Sequence, residues 1–362
     1  MKIKKLETFT RSVISIVRVV TDDGYEGYGQ ISPFNADISA EVFHRQVAPH
    51  VLGENPLEIS KLVNKCLEAE YKFPGSYICR ALSGLDTALW DLKGKIEEKP
   101  VCELLGAKPE PIKVYGSSMR RDITPEEEAE RLKKLEHEKG YEAFKIRIGS
   151  VCGHNQDQWP GRTEALVPAV RKALDTETKL FVDANSCYDA EKAIEVGKFL
   201  EDNGVVHYEE PCPYWRLDWT KKVTDALEIP VTGGEQDNSL EQWKRIINNQ
   251  VVNVIQPDIC YIGGFSRAKK VAEMAAEKGL TCTPHSANVS MVSIFTMHLL
   301  TVIENSGPYM EFSIEDTDWA EDIYEPELKV EDGQIFIPEN PGWGVEINDK
   351  WLEKSKYEVS QC

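Results

Sequence analysis

The pattern of hydrophobic and polar residues divides the chain into a short opening region and a longer repeating region. β-forming residues fill positions 13–20 and 25–30, and the Asp22-Asp23-Gly24 turn between them predicts a β-hairpin. Apolar residues then recur at positions 78, 82, 85, 89 and 92, which is the spacing of one helix face. We therefore expect a small α+β domain at the start of the chain.

From residue 112 onward, short β-rich runs alternate with helical patterns. Eight such runs begin near residues 112, 142, 179, 205, 229, 252, 280 and 308. The helical pattern over 125–137 opens at Thr124 with Glu127 three residues later, as in a capping box, and the pattern over 267–278 ends at Gly279. Eight strands alternating with helices over roughly 200 residues are typical of a parallel (β/α) barrel and not of an open doubly wound sheet.

The alternation stops after about residue 325, where glycine and proline become frequent (Gly333, Pro338, Pro341, Gly342 and Gly344). We expect this tail to return to the opening domain and not to add another barrel unit. The predicted organisation is an α+β capping domain of residues 1–110, joined by residues 330–362, and a barrel of residues 111–329.

Composition narrows the classes of partner. The formal charge of −19 disfavours nucleic acid and anionic lipid. The first ten residues lack the apolar run of a signal peptide, and no apolar segment is long enough to span a membrane. Nine scattered cysteines without a CxxC pair suit a reducing compartment. We expect a cytoplasmic enzyme that acts on a small molecule and forms a homo-oligomer, as barrels commonly do.

Polar side chains able to bind a metal or move a proton stand near the ends of the later strands: Lys145, Asp183, Glu209, Glu235, Asp258, His285 and Glu311. From Asp183 onward they are separated by 26, 26, 23, 27 and 26 residues. That interval is about one β/α unit, so the side chains should share one height at the C-terminal face of the barrel. Any single acid in such a place is more often a loop residue or a helix N-cap, and this alternative stays open for Asp183 and Asp258.

Three of these acids, Asp183, Glu209 and Glu235, occupy successive strand ends. Without a cation among them they would repel one another by several kcal/mol. Carboxylate ligands suit Mg²⁺, with Mn²⁺ as a possible substitute. Zinc is less expected because the first barrel strand ends without histidine, and no Walker or GxGxxG phosphate motif is present.

The candidate base is His285, which follows Pro284 at the end of an apolar strand. Asp258 ends the preceding strand and can accept a hydrogen bond from one ring nitrogen, which leaves the other free near neutral pH. Lys145 lies across the barrel, and strand alternation places Arg147 on the same side as Lys145. His285 and Lys145 could then flank a substrate held on the metal.

The chain resembles the mandelate racemase group of the enolase superfamily over its whole length. The matching motifs are KIR at 145–147, VDAN at 182–185, YEEP at 208–211, GGEQ at 233–236, QPD at 256–258, TPHS at 283–286 and MEF at 310–312. The resemblance implies a modified (β/α)₇β barrel beneath a capping domain. It implies Mg²⁺ on Asp183, Glu209 and Glu235, an Asp258–His285 dyad as the base, and Glu311 against the substrate carboxylate.

The resemblance also implies that Asn185 contacts the substrate, that Lys145 binds its carboxylate, and that Glu210 neighbours the ligands without being one. By the same analogy, the capping segments 30–37 and 71–77 would select the substrate. One position departs from the family: Arg147 stands where a second lysine base is common.

The predicted reaction is a Mg²⁺-dependent β-elimination of a sugar acid. The enzyme would remove the proton α to the carboxylate, pass through an enediolate and expel the β-hydroxyl to give a 2-keto-3-deoxy acid. A racemase, epimerase or cycloisomerase would use the same enediolate, and a non-catalytic carboxylate-binding barrel is a third alternative. Arginine stays protonated, so His285 as the single base favours dehydration over racemisation.

Overall fold

The first part of the chain is an antiparallel sheet covered by helices. The whole molecule is described from a computed structural model that covers residues 1–316 and 318–362. The elements of this first part are β1 (Ile3–Arg11), β2 (Ile14–Thr21), β3 (Glu26–Ile31), α1 (Ala36–Val42), a π-helical turn (Phe43–Val47), α2 (Ala48–Val51), α3 (Ile59–Ala69), α4 (Ser76–Glu97) and α5 (Val101–Leu104). The predicted hairpin and the predicted helix over 78–92 are confirmed.

Helix α4 lies directly on β3, and glycine makes this close approach possible. A Cβ atom on Gly29 would collide with the backbone of Ala88 in α4. Ile78, Leu82, Leu85, Leu89 and Leu92 are all buried on the apolar face of this helix. The helix therefore packs closely on the sheet, and Cys79 near its N-terminal end contacts the Asn238 carbonyl of the barrel region.

The second part is a parallel barrel of eight strands: β4 (Ile112–Ser117), β5 (Ala143–Arg147), β6 (Lys179–Asp183), β7 (Val205–Glu209), β8 (Val231–Gly233), β9 (Val254–Ile255), β10 (Thr281–Cys282) and β11 (Met310–Ser313). Each strand from β4 to β10 pairs with the next, and β11 pairs with β4. A bridge between Cys282 and Ser306 joins β10 to the segment before β11 and closes the ring.

Seven helices connect these strands: α6 (Pro125–Lys139), α7 (Arg162–Ala173), α8 (Ala190–Asp202), α9 (Leu217–Ala226), α10 (Leu240–Asn248), α12 (Phe265–Ala276) and α13 (Met291–Val302). A short helix, α11 (Ile259–Ile262), precedes α12. The capping box of Thr124 and Glu127 is present. The expected (β/α)₇β barrel with a capping domain is confirmed.

The tail contacts both parts of the molecule. Its elements are β12 (Tyr324–Glu325), β13 (Gln334–Ile335), β14 (Glu346–Ile347), α14 (Asp349–Glu353) and β15 (Lys356–Gln361). Strand β13 pairs with β4 of the barrel, whereas β15 pairs with β1 of the first sheet. The exact division into 1–110 with 330–362 and 111–329 stays a prediction.

Aromatic rings fill the barrel interior beneath the strand ends. Tyr115 and Phe181 meet edge to face with ring centroids 5.1 Å apart, and His207 stacks on Phe181 at 4.7 Å. The Lys145 ammonium lies 5.5 Å from the centroid of the Tyr115 ring. This layer supports the polar groups above it from below. Within residues 1–316 and 318–362, no helix is long and apolar enough to cross a membrane.

Candidate active site

The predicted strand-end residues come together at the C-terminal mouth of the barrel. Arg147 is in register with Asp183, and Asp183 is in register with Glu209 on the next strand. Parallel pairing therefore brings these side chains to one height, as the regular spacing predicted.

Lys145 lies at the centre of the acidic side chains and is almost fully buried. Its Nζ is 2.7 Å from Glu209 Oε2, 2.7 Å from Glu311 Oε1 and 4.0 Å from Asp183 Oδ2. Burial acts to lower the pKa of Lys145, but the charges of Glu209 and Glu311 outweigh it and raise this pKa well above its ordinary value. Lys145 is therefore a fixed cation.

Glu209 is buried, and its two oxygens differ. Oε2 accepts hydrogen bonds from Lys145 Nζ and, at 3.0 Å, from Gln256 Nε2. Oε1 is buried and has no hydrogen-bond partner among the described residues. Burial acts to raise the pKa of Glu209, but Lys145 and His207 outweigh burial, so the pKa lies below its ordinary value. The carboxylate therefore stays charged and keeps one unused oxygen.

Asp183 is fixed by the residue two positions later. Its Oδ1 accepts from the Asn185 backbone N–H at 2.7 Å, and its Oδ2 accepts from Asn185 Nδ2 at 2.9 Å. Asn185 has a positive φ of 41°, which turns the chain back towards the strand end. Burial and the charge of Glu209 raise the pKa of Asp183, as expected for an acid crowded by another.

On the other side of the mouth, His285 and Asp258 form a hydrogen-bonded pair. His285 Nδ1 lies 2.8 Å from Asp258 Oδ2, and Asp258 Oδ1 accepts from the backbone N–H groups of Cys260 at 2.7 Å and Tyr261 at 2.9 Å. Asp258 is thus the N-cap of α11 as well as the partner of His285. The two interpretations of Asp258 from the sequence, helix N-cap and partner of the histidine base, are therefore compatible.

The second ring nitrogen of His285 faces the acidic side chains. Its Nε2 lies 3.2 Å from Glu235 Oε2. Burial acts to lower the pKa of His285, but Glu235 and Asp258 outweigh burial and raise it to about 10. Burial in turn raises the pKa of Glu235 to about 7. The imidazole is accordingly a cation while Glu235 lies beside it.

Glu311 is held in place from two sides. Its Oε1 accepts from Ser117 Oγ at 2.8 Å, in addition to its contact with Lys145, and its Oε2 accepts from the Ser286 backbone N–H at 2.9 Å. The two serines come from strand ends on either side of Glu311. Nothing in the spacing of polar strand ends predicted these contacts.

Arg147 lies on the same side of β5 as Lys145 but has few partners. Its Nε is 3.7 Å from Asp183 Oδ2, beyond hydrogen-bond distance, and is buried without a hydrogen-bond partner in the described part of the chain. A guanidinium with unused N–H groups therefore faces the site opposite His285.

The carboxylate oxygens at the barrel mouth suit a divalent cation, although they are not arranged around a single point as metal ligands. Within residues 1–316 and 318–362, no three His, Cys, Asp or Glu side chains are arranged as a metal site. Lys145 lies between Asp183 and Glu209, and Glu235 points to His285. The unpartnered Glu209 Oε1 and the excess of acids over cations are the features that a cation would satisfy.

Two further residues, Arg121 and Glu210, adjoin the site, and only Glu210 was named from the sequence. Arg121, in the loop after β4, donates from Nη2 to Asn185 Oδ1 at 2.5 Å and from Nε to the Gly149 carbonyl at 2.7 Å. It therefore joins three neighbouring strand ends. Glu210, next to Glu209, is buried with an unpartnered Oε1, and burial and Glu235 raise its pKa well above the ordinary value. The QPD motif pointed to Gln256, whereas no sequence signal pointed to Arg121.

The two capping segments differ in how they meet the barrel. Gln30 is buried, donates from Nε2 to Ser290 Oγ at 3.0 Å and accepts from the Met291 backbone N–H at 3.1 Å. Tyr71 and Phe73 are instead exposed. The role of both segments in selecting the substrate stays a prediction.

Comparison with known proteins agrees with this architecture. Residues 127–351 match the enolase C-terminal domain-like family, and residues 4–106 match the N-terminal domain of mandelate racemase and muconate lactonizing enzyme. Arabinonate dehydratase of Saccharolobus solfataricus is 28% identical, covering 98% of this chain and 94% of its own. D-galactarolactone cycloisomerase of Agrobacterium fabrum is 27% identical, covering 94% of this chain and 90% of its own.

A solved structure from Roseobacter denitrificans, provisionally assigned as a racemase, superposes with a TM-score of 0.98. It is 52% identical to this chain, and the match covers 100% of both chains. The two family matches together span most of the sequence and include both the capping and the barrel regions. The chain therefore belongs to the mandelate racemase group of the enolase superfamily.

Proposed function

We propose that the protein is a Mg²⁺-dependent dehydratase that removes water from a sugar acid and forms a 2-keto-3-deoxy acid. The observation that carries this proposal is the Asp258–His285 pair, whose second ring nitrogen lies 3.2 Å from the buried Glu235 carboxylate at the barrel mouth. A base placed opposite a carboxylate-binding centre is what abstraction of an α-proton requires.

Asp183, Glu209 and Glu235 would hold the Mg²⁺, and Mn²⁺ would suit the same oxygens. In this arrangement Glu235 would turn away from His285, which frees Nε2 of the imidazole to accept a proton. A bound Mg²⁺ would supply positive charge where negative charge builds up on the substrate carboxylate. Glu209 Oε1, which is buried and unpartnered, is already available as a ligand.

Lys145 and Glu311 would hold the substrate carboxylate. The Lys145 ammonium is fixed between Glu209 and Glu311, so one N–H can point to a substrate oxygen without losing its orientation. Glu311, held by Ser117 and Ser286, would contact the carboxylate as it becomes an enediolate. Asn185 would contact the substrate at the same end of the barrel.

His285 would perform both proton transfers. Its Nε2 takes the proton from the α-carbon, and the electron pair of that C–H bond moves towards the carboxylate to give the enediolate. That pair then forms the double bond between the α- and β-carbons as the C–O bond at the β-carbon breaks, and the imidazolium gives its proton to the departing hydroxyl, which leaves as water. The resulting enol tautomerises to the 2-keto-3-deoxy acid. Asp258 keeps the imidazole in the required tautomer throughout.

A racemase, epimerase or cycloisomerase is the second candidate, and the comparisons with a cycloisomerase and a provisionally assigned racemase favour it. A racemase needs a base on each face of the enediolate. On the face opposite His285, Arg147 remains protonated because a guanidinium keeps its proton far above neutral pH. Burial acts to lower the pKa of Arg147, but the neighbouring carboxylates outweigh burial and raise this pKa further. Lys145 is occupied by two carboxylates. One base suffices for elimination, and dehydration is therefore the preferred proposal.

The proposal can be tested by incubating the purified protein and Mg²⁺ with a library of acid sugars and measuring 2-keto acid formation. Turnover of at least one acid with loss of water is expected. Isomerised acid or lactone without any 2-keto acid would favour the second candidate, and no conversion of any acid would favour a non-catalytic barrel. The predicted homo-oligomer and cytoplasmic location stay predictions.

A further inference from the structure

A cation from the capping region reaches the active-site mouth on the His285 side. Arg80 lies near the N-terminal end of α4, and its guanidinium carbon is 3.8 Å from the centroid of the Tyr261 ring. The Tyr261 ring in turn packs against His285 with centroids 5.8 Å apart. Arg80 therefore stands one aromatic ring away from the proposed base.

The guanidinium of Arg80 has unused hydrogen-bonding capacity. Its Nη1 donates to Ser32 Oγ in the first capping segment, and the guanidinium lies beside the Tyr261 side chain, but no carboxylate among residues 1–316 and 318–362 accepts from it. In the same part of the chain Arg80 forms no ion pair, whereas other arginines of the capping region, such as Arg18 and Arg45, are paired with glutamates. A partly buried arginine without a carboxylate partner is available to bind an anion.

The distances suit the far end of a six-carbon substrate. The two ring contacts place the Arg80 guanidinium within roughly 10 Å of the imidazole. In an extended sugar acid whose α-carbon lies at His285, carbon 6 is about 5 Å from carbon 2, since each C–C bond is about 1.5 Å long. Oxygens on carbon 6 are then close enough to accept hydrogen bonds from Arg80.

Charge discriminates between the possible end groups. The molecule carries a net charge of −19, and the barrel mouth is rich in carboxylates, so a second carboxylate on the substrate would be repelled without a local cation. Arginine binds a carboxylate through two parallel, charge-assisted hydrogen bonds, which are stronger than hydrogen bonds to a neutral hydroxyl.

We propose that Arg80 determines substrate specificity by binding a terminal carboxylate, which makes six-carbon dicarboxylic sugar acids the preferred substrates over the corresponding monocarboxylic acids. This inference rests on the proposed dehydratase function. The alternative role for Arg80 is structural: its stacking on Tyr261 would simply hold α4 against the barrel.

The test compares kcat/KM for hexarates, such as galactarate and glucarate, with that for hexonates, such as galactonate and gluconate, using 2-keto acid formation with Mg²⁺. For the wild-type enzyme we expect at least a tenfold preference for the best hexarate. Arg80→Met should lower kcat/KM for that hexarate by about 10²-fold, equivalent to nearly 3 kcal/mol, and change the value for the best hexonate less than threefold. Arg45→Met, an exposed arginine of the same region, is the matched control.

Arg80→Lys keeps the charge and provides a second variant should the methionine variant fail to fold. Its kcat/KM should fall about tenfold for hexarates only, because an ammonium cannot make the paired hydrogen bonds. Dehydration of hexonates alone, or an equal loss on both classes in the Arg80 variants, would overturn the assignment of Arg80 and leave the dehydratase function standing. If neither class yields a 2-keto acid, this inference fails, and the proposed function fails with it only when the other acid sugars of the library also yield none.

Discussion

The substitution Asp258→Asn separates the two tasks of this carboxylate. Oδ2 faces His285 Nδ1 at 2.8 Å, whereas Oδ1 caps α11 through the N–H groups of Cys260 and Tyr261. Asparagine caps a helix about as well as aspartate, so the fold should keep its stability. The amide group, however, can present its N–H to His285 Nδ1, which stabilises the tautomer that carries the proton on Nε2. That nitrogen then cannot accept the α-proton.

We expect kcat of Asp258→Asn to fall by about 10²- to 10⁴-fold, as it does for other carboxylates that orient a histidine base. This loss corresponds to an increase of about 3–5 kcal/mol in the activation barrier. Asp258→Ala should lose similar activity and, because it also removes the cap, about 1 kcal/mol of stability. The difference in unfolding free energy between the two variants reports the cap alone.

Three measurements on the same preparations check this reasoning. Initial rates of 2-keto acid formation give kcat, isothermal titration calorimetry gives the affinity for Mg²⁺, and denaturant unfolding gives stability. Activity should collapse in Asp258→Asn while Mg²⁺ affinity stays within a few-fold of wild type. Loss of Mg²⁺ binding would mean that Asp258 is a metal ligand, and wild-type activity would mean that His285 does not depend on it.

Other perturbations test different parts of the site and fold. Glu235→Gln should weaken Mg²⁺ binding measured by calorimetry and reduce turnover by orders of magnitude. EDTA treatment followed by dialysis should abolish activity, and full activity after this treatment would refute the metal assignment. Arg147→Lys introduces a group that can lose its proton and act as a second base. Substrate reisolated from D₂O should then include an inverted, deuterated isomer, detected by NMR. Absence of this isomer would argue that position 147 does not face the enediolate. His298, which accepts from the Cys102 N–H at 3.1 Å, has its pKa lowered to about 4 by burial. The histidine pKa in the unfolded chain is near 6.5, so the unfolded chain takes up this proton first as the pH falls. The contribution of His298 to the free energy of unfolding is therefore complete above about pH 6.5 and decreases towards pH 4 by about 3 kcal/mol in total. His298→Asn should lack this part of the pH dependence in unfolding experiments, and identical profiles would contradict the assignment.

Much of the fold could be predicted because the barrel repeats one simple pattern. All eight β-rich runs are strands, since buried parallel strands carry continuous apolar residues between turn signals. The pairing of β15 with β1 is different, because it joins residues more than 340 positions apart. The glycine- and proline-rich tail was expected to return to the opening domain, but sequence periodicity reports local structure and could not show that β15 pairs with β1.

The candidate site shows the same limit at the level of side chains. Strand alternation correctly placed Lys145 and Arg147 on one side of β5. It could not show that Lys145 pairs with Glu209 and Glu311, nor that Arg121 reaches Asn185, because these contacts depend on side-chain conformations across several strands. Arg80 was missed for a related reason: its partner Tyr261 lies on the other side of the interface between α4 and the barrel.

His285 alone should remove the α-proton of a sugar acid. Incubating the enzyme, Mg²⁺ and a turned-over acid sugar in D₂O, and analysing the remaining substrate by NMR, measures this directly. We expect deuterium at the α-carbon with retained configuration, and no exchange in His285→Asn. Inverted, deuterated substrate, or exchange that persists in His285→Asn and disappears in Lys145→Met, would contradict it.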